Sequence, residues 1–314
     1  MSTRGAHSID VIVPAYNAGA AIAGTIDHLL GLLERTSADV RVIVCDDGST
    51  DDTVRVLGGL VSDHLRLVAL EQNRGRSGAR NAAVAVSDAC YLLFMDADCR
   101  PRDPDYFTRM LEQAAAGAIL AYGPIEADSA NDAFWRRYLE KVERQRDAAA
   151  VSGDHLRAIA TGNLLLRRDL FDEAGGFCES YRHYGFEDRD LVACLLALGV
   201  EPRYERGAAV RHSAGYSVAT YCRRLHEAAA YSAPIFRARH PRSYARLSYA
   251  RIDPDMHPRI VAGVMRKLGS VTAEHATALV SRLVGSARVP WVLRAGAVQL
   301  AAALSFMAGA AQRR

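Results

Sequence analysis

The chain has 314 residues, 50% hydrophobic and 24% charged, which suits a globular protein with a substantial core. Its formal net charge of +3 is too small for a dedicated nucleic-acid binder, so no nucleic-acid partner is expected. Six cysteines (Cys45, Cys90, Cys99, Cys178, Cys194 and Cys222) form no C-x-x-C pair, which argues against a zinc site or disulfide framework and leaves them as small core residues.

The opening residues carry no charged stretch leading into an apolar signal core, so the cytoplasm is the expected compartment. The first hundred residues then alternate strand and helix signals. A buried strand is predicted over 9–13, broken by Pro14. Ile22, Ile26, Leu29, Leu30 and Leu33 follow at helical spacing. A second β-rich run over 40–45 ends in Asp46-Asp47-Gly48, and Ser49 or Asp51 can cap a helix predicted over 52–64. A short strand, a helix behind the glycine-containing loop of residues 73–78 and a fourth strand running into Asp96 complete the series. The alternation implies an α/β fold with a doubly wound, mostly parallel sheet and right-handed crossovers. Ligands of such sheets bind beyond the carboxyl ends of the strands. Those ends carry Pro14-Ala15-Tyr16-Asn17, Asp46-Asp47-Gly48 and Asp96-Ala97-Asp98, so three strands bring polar residues to one rim.

From about Pro124 the pattern changes to a charged amphipathic helix over 131–150, with Phe134, Tyr138 and Val142 near one face, and then an α+β stretch to about His212. The remainder is helical and rich in Arg, Ala and Tyr, with 252–258 reading as a linker. The apolar run over 295–311 is short of the roughly 20 residues of a membrane span. Packing within the protein is the first expectation for it, contact with the inner face of a membrane the second and spanning the last; the C-terminal helices as a group are also candidates for homodimer formation.

Four constellations carry chemistry. Asp96 and Asp98 share one face while the strand stays extended, so both can approach one ligand, and hard oxygens suit Mg2+ or Mn2+. The alternative is a strand-end turn capped by Asp98. Asp47 can accept from a ring N–H or ribose hydroxyl. Arg74, Arg76 and Arg80 at a helix start suit a diphosphate, or form a solvated basic loop. Glu187, Asp188 and Asp190 open an apolar helix, where the dipole favours them and where a carboxylate can also take a proton from a hydroxyl. His212, after a short strand, is either packed or completes a metal shell with Asp98.

The ordered set VIVPAYNAG, VCDDGSTDDT, NRGRSGARNAAV, FMDADCRP, TGNLLLRRDLFDEAGGF, YGFEDRDL and VRHSAGYS resembles family 2 glycosyltransferases with the GT-A fold, over about residues 8 to 217. The resemblance implies a GT-A fold with a helical C-terminal extension: a nucleotide-sugar-binding subdomain over 1–123, an acceptor-binding subdomain over 124–217 and a helical region over 218–314. It implies that Pro14, Tyr16 and Asn17 line the nucleotide pocket, Asp47 holds the uracil or ribose, and Arg80 lies near the base or diphosphate. Asp98 and His212 would be metal ligands, with Asp96 beside them nearer the ribose. Asp188 would be the general base, Glu187 would support the acceptor, and Gly162 and Asn163 would sit in a loop facing donor sugar and acceptor. The implied activity is inverting, Mn2+- or Mg2+-dependent transfer from a nucleotide-sugar, UDP-linked, to a hydroxyl of a glycan, a lipid-linked sugar or a small metabolite. Two departures stand out: Ala18-Gly19 follows Asn17 where acids are frequent, and the Q-x-x-R-W motif of processive synthases is absent, which favours single transfer. A sugar nucleotidyltransferase and a non-catalytic nucleotide-sugar-binding module are the rival readings; VPAYNAG lacks the Gly-rich, basic signature of the first, and the full set of carboxylates argues against the second.

Overall fold

A computed structural model describes residues 5–36, 39–128, 132–213 and 215–313. The strands are β1 (Ile9–Ala15), β2 (Val40–Asp46), β3 (Leu65–Ala69), β4 (Tyr91–Met95), β5 (Cys99–Pro101), β6 (Leu120–Tyr122), β7 (Ile125–Ala127), β8 (Asn163–Arg167), β9 (Arg203–Tyr204) and β10 (Val210–His212). The helices are α1 (Gly19–Leu33), α2 (Thr53–Gly58), α3 (Gly75–Ala85), α4 (Tyr106–Ala115), α5 (Ala133–Val151), α6 (His155–Ala158), α7 (Arg168–Glu173) and α8 (Glu187–Ala197). They continue with α9 (Val218–Glu227), α10 (Ala233–Arg239), α11 (Pro241–Arg246), α12 (Arg259–Val284) and α13 (Trp291–Ala311). The chain folds as two compact units, one of Met1–Asp128, Leu139–Glu179 and Asp188–Ala214, the other of Ser129–Tyr138, Ser180–Glu187 and Gly215–Arg314.

Among the described residues the first unit holds a seven-stranded sheet in the order β3-β2-β1-β4-β8-β6-β9 and a three-stranded sheet in the order β5-β10-β7. Strands β1 to β4 run parallel, and β8 enters antiparallel between β4 and β6. Alternate side chains leave opposite faces of the main sheet. Val11, Val13, Val42, Val44 and Leu93 meet Ile22, Ile26 and Leu29 of α1 in one layer. Ile12, Ile43, Leu92 and Phe94 meet Ala79 and Ala83 of α3 in the other. Burial on both faces is why these strands read as unbroken apolar runs.

Three local expectations are corrected. Pro14 does not end β1, which continues to Ala15 opposite Asp46. The β1–β4 pairing stops at Ile12, so Pro14 lies where β1 has a neighbour on one side only and its missing donor interrupts no central ladder. Helix α2 ends at Gly58, far short of residue 64, because Gly58-Gly59 is a poor helix continuation. The presumed linker over 252–258 is instead part of the core of the second unit. Asp253 is 0% exposed and accepts from Arg237 Nη1 (3.1 Å), Arg313 Nη1 (2.9 Å), Tyr244 Oη (2.6 Å) and the Asp255 amide (3.1 Å). A carboxylate removed from water requires such partners.

In the second unit α12 and α13 form an antiparallel hairpin: Gly269 lies against Met307 and Ala308, and Arg294 donates to the Val284 carbonyl. Helix α13 has 21 residues, longer than the run expected from residue 295, and is apolar enough to cross a membrane by length and composition. Its face Ala295, Val298, Ala302, Phe306 and Gly309 is nonetheless buried. Backbone meets backbone at that face, since a Cβ on Gly309 would sit 2.1 Å from the His226 carbonyl oxygen of α9.

Gly309→Val is therefore expected to lower the unfolding free energy by about 3 kcal/mol, measured by urea denaturation. A pH effect follows from Asp255. Burial raises its carboxyl, and Arg237 and Arg313 more than offset this, leaving it below the ordinary 3.8. Its stabilising contribution is complete above that ordinary value and is lost as pH falls through the lowered one, so Asp255→Asn should flatten the acid limb of the stability profile.

Candidate active site

The rim of the first unit is built from the strand ends. After β1, Asn17 takes φ 48, its amide donates to Ser49 Oγ (2.9 Å), and its Oδ1 accepts from the Thr50 amide (2.9 Å). The Asn17 side chain thus ties the β1 and β2 exits together, while Tyr16 is 49% exposed and Pro14 half-buried beside it. The turn after β2 depends on Gly48, at φ +68, where a Cβ would meet Gln72 backbone carbon at 2.8 Å. Asp47 is buried and its Oδ1 accepts from the Arg74 amide at 2.7 Å. Burial pushes its carboxyl up, and amide hydrogen bonds from Arg74 and Gly75 only partly reverse this. Neighbouring Asp46, to which the sequence reading gave no separate role, accepts from the Ser49 amide through Oδ2 (3.1 Å). Its buried Oδ1 has no hydrogen-bond partner among the described residues.

Arg80 of α3 is 1% exposed and donates to Asp96 Oδ1 at 2.8 Å, with its guanidinium 5.1 Å over the Phe177 ring. Burial raises the Asp96 carboxyl, but the charges of Arg80, Arg76 and His212 outweigh it and hold Asp96 below the usual range. Arg80 therefore acts on Asp96 in this arrangement, and Arg74 is held by Glu179 at 2.7 Å. Past Asp96 the chain turns, with the Cys99 amide donating to the Asp96 carbonyl at 2.9 Å, and enters β5.

Strand β5 pairs antiparallel with β10, setting Cys99 opposite His212. That register brings His212 Nε2 to 3.1 Å from Asp98 Oδ2. The ligand-type atoms of Asp98, Cys99 and His212 all lie within 4.8 Å of one another. A carboxylate oxygen and an imidazole nitrogen this close fit a divalent cation, with Asp96 two residues away.

Gly162 lies beside Asp96, since a Cβ there would sit 3.2 Å from Asp96 Oδ2 and 3.2 Å from Ile125 Cδ1. Asn163 differs from the expected loop residue. It opens β8, is 0% exposed, accepts from Tyr106 Oη (2.7 Å) and donates to the carbonyls of Pro124 (3.0 Å) and Ala208 (2.8 Å). Its amide locks β6, β8 and the approach to β10 together and does not present itself to a ligand. Ile125 also lines a cavity of about 500 Å3 with Tyr122, Glu143, Asp147, Tyr204 and Arg206. Burial pushes the Tyr122 hydroxyl up to about 12.

Glu187 and Asp188 open α8, as the sequence indicates. Asp188 Oδ1 accepts from the Arg189 amide at 2.8 Å, its side chain is 22% exposed, and Glu187 is buried. Phe186, immediately before them, takes φ 70, a strained conformation for an aromatic residue. Phe236, Tyr244 and Tyr249 pack against its ring and hold it there.

Residues 10–175 match the family model described as Glycosyl transferase family 2. The chain belongs to that family. The succinoglycan biosynthesis protein ExoO of Rhizobium meliloti is 33% identical over 223 residues, covering 66% of this chain and 59% of its own. The O-antigen chain rhamnosyltransferase RfbN of Salmonella typhimurium is 27% identical over 221 residues, 67% of each chain. The family 2 chain thus spans 59% of the length of the Rhizobium relative. A mannosyltransferase from Pyrobaculum calidifontis shares its fold with TM-score 0.60 at 17% identity, over 94% of this chain and 85% of that one. Glucosyl-3-phosphoglycerate synthase from Mycobacterium tuberculosis does so with TM-score 0.50 at 20% identity, over 73% and 78%. The fold is GT-A, with a mostly parallel central sheet and a helical C-terminal region.

Arg80→Met is expected to cost about 3 kcal/mol of stability by leaving Asp96 without its guanidinium, with Arg80→Lys recovering part of the loss, both read by chemical denaturation.

Proposed function

We propose that this family 2 member is an inverting, metal-dependent glycosyltransferase that moves a sugar from a UDP-linked donor to an acceptor hydroxyl in one displacement. The observation that carries the reading is the 3.1 Å approach of Asp98 and His212, two residues beyond Asp96 at the carboxyl end of β4. The Pyrobaculum mannosyltransferase is in complex with GDP-Man and Mn2+, and the Mycobacterium synthase with Mn2+, UDP and glucosyl-3-phosphoglycerate, which supports a nucleotide-linked donor and a divalent ion. Asp98 and His212 would hold Mn2+ or Mg2+, with Asp96 alongside. A bound divalent ion at this position supplies neutralising charge for a nucleoside diphosphate leaving group.

The other roles belong to side chains of the rim. Asp47, whose Oδ1 already accepts from the Arg74 amide, would hold the uracil or ribose. Tyr16 and Pro14 present apolar surface to the base. The lack of a side chain at Gly162 leaves room beside Asp96 for the donor sugar. Asp188 takes the proton of the acceptor hydroxyl as its oxygen attacks the anomeric carbon, with buried Glu187 supporting the acceptor. Holding donor and acceptor in line supplies much of the acceleration. The acceptor is a glycan or lipid-linked sugar. Relatives named dolichyl-phosphate beta-glucosyltransferase and UDP-Glc:alpha-D-GlcNAc-diphosphoundecaprenol beta-1,3-glucosyltransferase support the lipid-linked class. The cavity next to Ile125, lined by glutamates and Asp147 together with Arg102, Arg144, Arg146 and Arg206, offers hydrogen-bond donors and acceptors suited to such a sugar.

Asp188→Asn should lower kcat by about a hundred- to ten-thousandfold while donor binding is kept, and the product should carry inverted anomeric configuration by NMR. Near wild-type turnover, or retained configuration, would sink the mechanism. Asp98→Ala and His212→Ala should each abolish the Mn2+-dependent rise in melting temperature given by a UDP-sugar, in a panel that includes GDP- and dTDP-sugars. Because burial raises Asp47, its ionised, accepting form is lost on acidification earlier than for an ordinary aspartate of 3.8, so donor affinity should begin to fall above that pH.

A further inference from the structure

The second unit carries a surface that the transfer reading leaves unused. Along α12, Ile260, Val264, Leu268 and Val271 recur at three- and four-residue spacing, Leu279 follows eight residues on, and the five are 47% to 84% exposed. They form an apolar stripe on the side opposite the buried Ala262, Gly269, Ala273 and Val280. Val292 and Leu293 at the start of α13, which lies antiparallel to α12, are exposed as well. Exposed Arg259, Lys267, Arg282 and Arg288 accompany the stripe. From residue 259 to the end the sequence holds eight Lys and Arg against one acid, Glu274.

We propose that the exposed face of the α12–α13 hairpin docks on the surface of a membrane bearing anionic headgroups, with the apolar stripe entering the headgroup boundary. An apolar stripe bordered by cations is the pattern by which helices lie in a bilayer interface, and each cation near an anionic surface adds to the attraction. The charge decides between occupants. A second copy seated on the same face would oppose two surfaces of like net positive charge, exposed Arg259, Lys267, Arg282 and Arg288 outnumbering Glu274, whereas anionic lipid complements them. The buried face of α13 is engaged with α9 and α12, which fits a helix packed in its own unit and not one threaded through the bilayer. The docking does not rest on the transfer reading, and binding is measured without any sugar donor.

The test is co-sedimentation of the full chain with vesicles of phosphatidylcholine alone or mixed with phosphatidylglycerol. Binding is expected only with phosphatidylglycerol, falling when salt rises from about 0.1 M to about 1 M as the Debye length shrinks. Val264→Glu/Leu268→Glu/Val271→Glu and, separately, Lys267→Glu/Arg282→Glu should each weaken partitioning roughly tenfold or more, with an unchanged far-UV circular dichroism spectrum. Equal binding to both vesicle types, or none to either, overturns the proposal. So does a wild-type dimer by light scattering that the apolar variant dissociates without any vesicle binding. Retention on vesicles through alkaline carbonate overturns it too, because it would mean insertion of α13.

Discussion

A guanidinium shut away from water has to be met by charge, and in this protein Arg80 is met by Asp96. The pair fixes α3 to the end of β4 and sets the orientation of the carboxylate on which the rim turns. One Asp96 oxygen is engaged by Arg80, and the other lies beside Gly162, where there is no side chain to cover it. The backbone of Asp96 then closes the turn into β5. Because β5 pairs with β10, that turn also determines where His212 meets Asp98. One ion pair thus links the main sheet, the small sheet and the Asp98–His212 pair.

The second unit has a buried carboxylate of the opposite kind. Asp253 receives two arginines, a tyrosine hydroxyl and a backbone amide, and nothing of it is left for a ligand. Full satisfaction of a buried charge makes a structural hub, whereas Asp46 Oδ1 is buried without a hydrogen-bond partner among the described residues and Asp96 Oδ2 faces the side-chain-free Gly162. The contrast separates a carboxylate whose partners are complete from those whose partners are not, and exposure alone does not make that distinction.

Several departures from the sequence reading share one cause. Pro14 reads as a strand end because its chemistry is local, yet whether a missing N–H matters depends on which neighbour stands opposite. Residues 252–258 have the composition of a linker, and it takes Arg237, Tyr244 and, 60 residues away in sequence, Arg313 to make Asp253 a core residue. Asn163 belongs to a motif that implies contact with a ligand, but its amide is taken up by Tyr106 and by carbonyls on either side. Arg80, expected near the base or diphosphate, is buried against Phe177 and donates to Asp96, a partner that the basic loop at a helix start does not announce.

By itself the sequence determined the apolar runs of β1, β2 and β4, the acids at their carboxyl ends, the glycine turn after β2 and the acid pair opening α8. Each of these is written in consecutive residues, as a period, a breaker or a cap. Tertiary structure alone decided the seating of His212 against Asp98, the antiparallel insertion of β8 between β4 and β6, and the burial of Asp253. Strands of three residues carry too little periodicity to announce a partner more than a hundred positions away. Their register is chosen by which pairing leaves the fewest buried polar groups unmet, a property of the whole fold.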